Sequence, residues 1–146
     1  MNWKQEAVEK LRGYPLRRCS LARLEEEMQR LGHEAARLHA ADPGHERVSG
    51  GSAGRHDDAL INNLALREEL KHARQSAELW VHEVDAALSH LDEESRQILD
   101  GLYLSRTPKS VEMLCQALCM ERSTLYRRRE HALRQFTLAL YGALEL

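Results

Sequence analysis

The sequence predicts an all-α protein, with long coiled-coil-like helices in its N-terminal part and a helix-turn-helix in its C-terminal part. Its 146 residues contain only three prolines and one phenylalanine, while residues that favour helices are abundant. Apolar residues recur at alternating spacings of three and four over two long stretches, which is the heptad pattern of helices packed lengthwise. Shorter helical patterns with capping residues follow in the last third.

The first element is an N-terminal helical or coiled-coil segment over residues 1–41. Asn2 is expected to cap a short helix that ends at Gly13, after which Tyr14 and Pro15 form a corner. A second helix then carries an unbroken heptad row that requires a long partner helix. The members of this row are Leu21, Leu24, Met28, Leu31, Ala35 and Leu38.

A connector and a long acidic helix come next. Residues 42–55 are predicted to be a flexible Gly/Ser linker, because their glycines are costly to order. Residues 56–90 are predicted to form one helix, capped by Asp57 or Asp58, that serves oligomerisation. The apolar heptad row of this helix is expected to pack on the first heptad helix as an antiparallel hairpin, on a second copy of the chain, or on both. This row consists of Leu66, Leu70, Ala73, Ala77, Trp80, Val84, Ala87 and Leu91.

Residues 91–146 are predicted to form a separate domain of shorter helices. The acids from Asp92 to Glu94 suit the first turn of one helix, and Ser110 is placed to cap the next. A long final helix begins near Glu121. The alternation of caps and short apolar runs distinguishes this part from the long heptad helices.

Charge is distributed unevenly, although the formal net charge is only -2. Residues 57–104 carry 11 acidic and 4 basic side chains, whereas residues 105–146 carry 7 basic and 4 acidic ones. A polyanion responds to local charge, so the basic C-terminal end is suited to nucleic acid. Five arginines of this end lie within thirteen residues that contain one acidic residue, Glu130. They are Arg122, Arg127, Arg128, Arg129 and Arg134.

The segment from Leu114 to Arg129 has the spacing of a helix-turn-helix, in which two short helices meet at a steep angle. Such a corner needs a small residue at the crossing, a turn residue four positions later, and an apolar anchor in the second helix. Cys115, Cys119 and Leu125 fill these three positions. The apolar contacts that flank the turn are Leu114, Leu118 and Met120.

The eight candidate DNA-binding residues follow from this register. With Leu125 inward, the second helix directs arginines toward guanine edges or phosphates, and hydroxyls toward backbone oxygens. Thr124 suits either a phosphate contact or the helix cap. Arg106 and Lys109 lie in the loop before the first helix and are expected to contact phosphates. The candidates on the second helix are Arg122, Ser123, Thr124, Tyr126, Arg127 and Arg129.

About the last 56 residues resemble helix-turn-helix modules of the sigma-70 region 4 type. The resemblance rests on the runs Leu91–Leu99, Val111–Met120 and Arg122–Arg129, followed by Ala132-Leu133. The whole chain is similar to phage and prophage late-gene transcriptional regulators of the ArpU/RinA type. In these, a leucine-rich helix after a Tyr-Pro corner, a Ser/Gly-rich connector and a long acidic helix precede such a module.

The resemblance implies a small regulator that binds promoter DNA on a phage or mobile element in a bacterium and activates transcription. Two residues depart from the common pattern. Cys119 stands where glycine is commonest, and Cys115 stands where alanine is commonest. Cysteine is small enough for the crossing, but at the turn it must accept a conformation that glycine adopts more easily.

The sequence therefore predicts a sequence-specific DNA-binding transcriptional regulator. Its expected partners are double-stranded DNA, RNA polymerase at the acidic helix, and further copies of the chain in a homodimer or higher homo-oligomer. Two alternatives stay open. One is a small terminase-like phage DNA-packaging protein, and the other is a coiled-coil protein-binding adaptor that does not bind DNA.

Several other classes are not expected. No nucleophile, base and oxyanion stabiliser can be assembled from motifs, so we predict neither enzymatic activity nor a cofactor. Cys115, Cys119 and His131 lack the spacing of a zinc site, and an odd number of cysteines favours reduced thiols. No stretch resembles a membrane helix or a signal peptide, which predicts a cytoplasmic location.

Overall fold

The computed structural model of the chain describes residues 2–41 and 52–142, and every regular element within these two ranges is a helix. The prediction of an all-α protein is therefore confirmed. None of the described helices is long and apolar enough to cross a lipid bilayer. In chain order the elements are α1 (Trp3–Ala41), α2 (Ser52–Ser89), α3 (Glu93–Leu99), a π-helix (Asp100–Leu104), α4 (Val111–Leu118) and α5 (Arg122–Tyr141).

The chain forms two compact units. One consists of Cys19–Glu78 and is called the hairpin unit below. The other consists of Met1–Arg18 and Leu79–Leu146 and is called the terminal unit. Helices α1 and α2 each contribute residues to both units, so the predicted N-terminal segment of residues 1–41 is divided between them.

In the hairpin unit, α1 and α2 run antiparallel. Arg74 of α2 contacts Glu25 of α1 at 2.9 Å, and Asn63 donates a hydrogen bond from Nδ2 to the Leu31 carbonyl oxygen at 2.9 Å. Of the packings that the sequence left open, the hairpin within one chain is thus present. The heptad row predicted for α1 faces inward, since Leu31 and Ala35 are buried. Its other members are half-buried: Leu21, Leu24, Met28 and Leu38.

The inward row of α2 departs from the prediction in the hairpin unit. Leu66 and Ala73, both assigned to the heptad row, are exposed. The reason is that two arginines take part in the inward row: Arg67 and Arg74 are half-buried, the Nε atom of Arg67 is buried, and Arg74 contacts Glu25 of α1. A prediction based on the spacing of apolar residues does not include these arginines. The observed row consists of Asn63, Arg67, Leu70, Arg74 and Ala77.

Helix α2 also begins earlier than predicted. It starts at Ser52, so neither Asp57 nor Asp58 caps it, and residues 52–55 are helical rather than part of a linker. Residues 42–51 of that predicted linker lie outside the described residues.

Helix α1 continues through the predicted corner, and the expectation that it ends at Gly13 is wrong. Tyr14 is buried, and its hydroxyl donates to Asp85 Oδ1 of α2 at 2.5 Å. Gly13 faces the Trp80 ring, which would lie 3.5 Å from a Cβ at that position. Pro15 has no N–H for the helix and costs stability in its interior. Packing of the neighbouring side chains on α2 offsets that cost.

The terminal unit joins the start of α1 to the C-terminal helices. The Trp3 and Tyr141 rings lie 4.8 Å apart, and Lys4 forms an ion pair with Glu130 of α5. The interior of this unit holds large side chains that are almost fully buried. They are Leu11, Val84, Ile98, Leu99, Leu125, Phe136 and Thr137.

The predicted first-turn acids of α3 lie where expected. Asp92 is the N-cap, and its carboxylate accepts a hydrogen bond from the Ser95 backbone N–H at 2.7 Å. This bond favours the ionised form and holds the pKa of Asp92 below its usual value. It also satisfies one of the N–H groups that the first turn of a helix leaves without a partner, and this fixes where α3 begins.

The π-helix brings α4 close to the end of α3 through a glycine. Gly101 is buried, and a Cβ built there would lie 2.8 Å from Cδ1 of Leu114 in α4. The Gly101 carbonyl oxygen also accepts the Lys109 N–H at 2.8 Å. Gly101 therefore sets both the position of α4 and the path of the loop before it.

We expect Gly101→Ala to lower the free energy of unfolding by about 1 to 3 kcal/mol, because overpacking a filled core costs roughly that much. Gly32→Ala is the matched control. Gly32 lies inside α1, and a Cβ added there would meet no atom within 4 Å, so this change should raise stability by about 0.5 to 1 kcal/mol. Urea denaturation measures both. Equal effects of the two substitutions would contradict the close approach at Gly101.

Candidate nucleic-acid interface

Helices α4 and α5 meet around a small apolar cluster. Its centre consists of Ile98 from α3, Leu114 from α4 and Leu125 from α5, which are 3% exposed or less. The position expected to anchor the second helix, Leu125, is therefore inward. The residues packed against this centre include the crossing residue and both apolar neighbours of the turn: Leu102, Val111, Cys115, Leu118 and Met120.

The turn between the two helices depends on Cys119. This residue caps the C-terminus of α4 in the left-handed conformation, with φ 53° and ψ 46°. The N–H of Met120 then donates to the Cys115 carbonyl oxygen at 3.1 Å, which closes the turn. Glu121 follows as the N-cap of α5. The helix thus begins where the sequence predicted, and it does so after a non-glycine residue in a strained conformation.

The first turn of α5 has no side-chain cap, so Thr124 does not take the capping role that the sequence allowed. The backbone N–H groups at this end point along the helix axis and, with the helix dipole, favour an anion. Thr124 is half-buried beside them. Of the two roles predicted for the Thr124 hydroxyl, the helix cap is absent, and the phosphate contact stays a prediction.

The six candidates on α5 fall into two groups. Arg122, Ser123 and Arg127 are exposed, whereas Thr124, Tyr126 and Arg129 are half-buried. A spacing of four residues along a helix places Ser123 and Arg127 side by side on one face. Arg122 and Arg127 are thus the two exposed arginines among these candidates, and Arg127 lies beside Ser123.

The Tyr126 ring lies between two arginines. The guanidinium carbon of Arg122 is 5.7 Å from the ring centroid, and that of Arg129 is 4.9 Å away. Arg122 also donates to the Tyr126 hydroxyl at 3.3 Å, and this hydrogen bond raises the pKa of Arg122 above its usual value. Arg129 contacts Glu130 at 3.4 Å. Tyr126 therefore contacts both arginine side chains, and each of them also faces a carboxylate, since Arg122 lies 4.0 Å from Glu112 of α4.

Two further charged residues of α5 pair with other helices of the terminal unit. Arg128 pairs with Glu94 of α3, and Glu130 pairs with Lys4 of α1. The hydrogen bond from Lys4 lowers the pKa of Glu130 and keeps its carboxylate ionised. The arginines of the first two turns of α5 are exposed or half-buried, and Arg134 is a further exposed arginine of the same helix.

The loop before α4 carries the other two candidates. Arg106 and Lys109 are both exposed, and the backbone of Lys109 is fixed by its bond to Gly101. A residue that sequence reasoning missed lies near this loop. Arg12 of α1 sits 5.8 Å from the ring centroid of Tyr103, in the π-helix just before the loop. No local sequence signal connects two residues so far apart in the chain.

Within residues 2–41 and 52–142, no three His, Cys, Asp or Glu side chains form a group that could hold a metal ion. The three cysteines of the described chain, Cys19, Cys115 and Cys119, form no disulfide bond. The α4–α5 corner presents arginine, lysine and hydroxyl groups, which form hydrogen bonds and ion pairs.

The comparison with protein families gives one finding. The model of the family described as "Protein of unknown function (DUF1492)" matches residues 38–137, and the chain belongs to this family. The matched range covers α2 and the α4–α5 corner. Comparisons with curated proteins and with solved structures give no match.

Cys119→Gly should stabilise the protein by about 0.5 to 1 kcal/mol. A non-glycine residue in the left-handed region costs roughly 1 to 2 kcal/mol, and the greater freedom of glycine in the unfolded chain cancels part of the gain. Cys19→Gly is the control, since Cys19 lies inside α1, where the same change should cost about 1 kcal/mol. Thermal unfolding under reducing conditions compares them. A loss of stability in Cys119→Gly would refute the strain at the turn.

Proposed function

We propose that this member of the DUF1492 family is a sequence-specific DNA-binding transcriptional regulator in which α4 and α5 form a helix-turn-helix. The observation that carries the proposal is the α4–α5 corner. A buried anchor, Leu125, is accompanied by an outward face that carries Ser123 and Arg127 at the start of α5. Recognition helices contact base edges with the residues of their first turns.

In the proposed mode of binding, the start of α5 enters the major groove. The guanidinium group of Arg127 donates to O6 and N7 of a guanine, and the Ser123 hydroxyl contacts a base edge or a backbone oxygen. Each good bidentate contact discriminates by about 1 to 3 kcal/mol against the wrong base. Arg122 and Arg129, held by the Tyr126 ring, are the neighbouring donors.

Phosphate contacts fix the orientation of the helix in the groove. The open N–H groups at the α5 N-terminus, together with the Thr124 hydroxyl, suit one phosphate. Arg106 and Lys109 suit the backbone crossed by the preceding helix. Arg12 lies next to the π-helix that leads into their loop and adds a further cation to this set.

The biological role proposed is activation of phage or prophage late genes, acting in the cytoplasm of a bacterium. The support is the resemblance to regulators of the ArpU/RinA type together with an exposed basic corner. In such a role, contact with RNA polymerase falls to exposed acidic residues of α2, which include Glu68, Glu69 and Glu78.

The test is binding of the purified chain to a labelled duplex across a salt series. Affinity should fall steeply with salt, and Lys109→Ala should reduce the slope of log affinity against log salt by about 0.9, the value for one lost phosphate contact. Arg96→Ala is the matched control because Arg96 is an exposed arginine of α3 paired with Glu93. It should leave the slope unchanged.

Flat curves that do not depend on salt would reject DNA binding and favour the adaptor alternative. Salt-dependent binding by a closed ring of many subunits would instead favour the packaging alternative. An equal change of slope in Lys109→Ala and Arg96→Ala would show that only net charge matters and would contradict the proposed interface.

A further inference from the structure

The outward face of α5 continues beyond the first two turns of the helix. Residues that share a face of a helix recur at spacings of three, four and seven. By this spacing the face consists of Ser123, Arg127, His131, Arg134 and Leu138, all of which are exposed. The contacts proposed above use only the start of this face.

The rotation of α5 at Arg134 is fixed by packing in the terminal unit. Leu133 and Phe136, on either side of Arg134 in sequence, are both buried. Phe136 lies on the same side of the helix as Leu125, because the eleven residues between them correspond to about three full turns. Arg134 is consequently held on the outside of the helix, in line with Arg127 two turns earlier.

Arg127 and Arg134 differ from the other three arginines of α5 in their partners. The other three each face a carboxylate, in the pairs Arg122–Glu112, Arg128–Glu94 and Arg129–Glu130. Within residues 2–41 and 52–142, neither Arg127 nor Arg134 forms an ion pair or a hydrogen bond. The two arginines without an internal partner thus lie on one exposed face.

A carboxylate one turn away does not neutralise Arg134. Glu130 precedes Arg134 by four residues, which is the spacing of an ion pair along a helix. Its carboxylate pairs instead with Lys4 of α1 and with Arg129. The guanidinium group of Arg134 therefore keeps its charge for an anion outside the chain.

The separation of the two arginines determines what each can contact on DNA. Seven residues correspond to about 10.5 Å along the helix axis. The major groove of B-DNA is about 8.5 Å deep and about 12 Å wide. When Arg127 reaches a base edge, Arg134 is therefore level with the edge of the groove, where the phosphates lie, whether α5 runs out of the groove or across it.

We infer that Arg134 binds a backbone phosphate of double-stranded DNA at the edge of the major groove while Arg127 contacts a base inside it. The inference rests on the proposed function. A guanidinium group forms short, charge-assisted hydrogen bonds with phosphate oxygens. Such contacts position a protein on the duplex without reading its sequence. Arg134 thus supplies affinity and orientation, and Arg127 supplies specificity.

The experiment measures the affinity of the full chain for labelled duplexes of unrelated sequence across a salt series. Arg134→Ala should lower the slope of log affinity against log salt by about 0.9 on every duplex, the value for one lost phosphate contact. Arg134→Lys should restore the slope, because an ammonium group also neutralises a phosphate. Arg96→Ala removes the same charge from α3 and should leave the slope unchanged, which excludes an effect of net charge.

Selection from a randomised duplex library separates a phosphate contact from a base contact. Arg134→Ala should enrich the same motif as the wild type, whereas Arg127→Ala should lose the preference at one or more base pairs. Thermal unfolding of Arg134→Ala should match that of the wild type, because this side chain is exposed and has no partner within the described residues.

Three results would overturn the inference: an unchanged slope in Arg134→Ala, a slope in Arg134→Lys as low as in Arg134→Ala, and an altered motif in Arg134→Ala. If Lys109→Ala lowers the slope while Arg134→Ala does not, this inference fails and the DNA-binding proposal stands. Curves of the wild type that do not depend on salt would reject both.

Discussion

The contact among Ile98, Leu114 and Leu125 determines what the C-terminal part of this protein presents to its surroundings. Leu125 is 1% exposed and therefore points inward. The helical period then determines which of the neighbouring residues in the first turns of α5 point inward and which point outward. Ser123 and Arg127 then lie outward, while Arg129 turns toward Tyr126 and Glu130. A shift of the anchor by one residue would rotate the helix by about 100° and remove this basic face.

Two backbone features hold that contact in register. Gly101 permits α4 to approach the π-helix closely, and Cys119 turns the chain back in the left-handed region. Neither feature is the lowest-energy choice for an isolated segment. A π-helix is rare, and cysteine is a poor residue for positive φ. The packing of the apolar cluster must therefore outweigh both costs, and the corner is defined by tertiary contact more than by local preference.

The sequence predicts the local elements well where the deciding signals are local. The heptad row of α1, the Asp92 cap and the Ser110 cap are set by residues within one or two turns, and all three are present. The continuation of α1 through Pro15 was not predictable in this way, because it depends on Tyr14 reaching Asp85 of another helix.

The candidate site shows the same division between local and distant causes. The turn at Cys119 and the anchor at Leu125 follow from spacing alone. The half-burial of Arg129, the pairing of Arg128 with Glu94 and the position of Arg12 beside Tyr103 do not. Each of these depends on which helices meet in space, and that is information a helical pattern does not carry.

Selection of binding sites from a randomised duplex library is the most direct test of the proposal that the start of α5 reads DNA sequence. The wild type should enrich a defined motif. Arg127→Ala should lose the preference at one or more base pairs while keeping its thermal stability, and Arg96→Ala should select the wild-type motif. An Arg127→Ala protein that selects the same motif as the wild type, or a wild type that enriches none, would contradict the account.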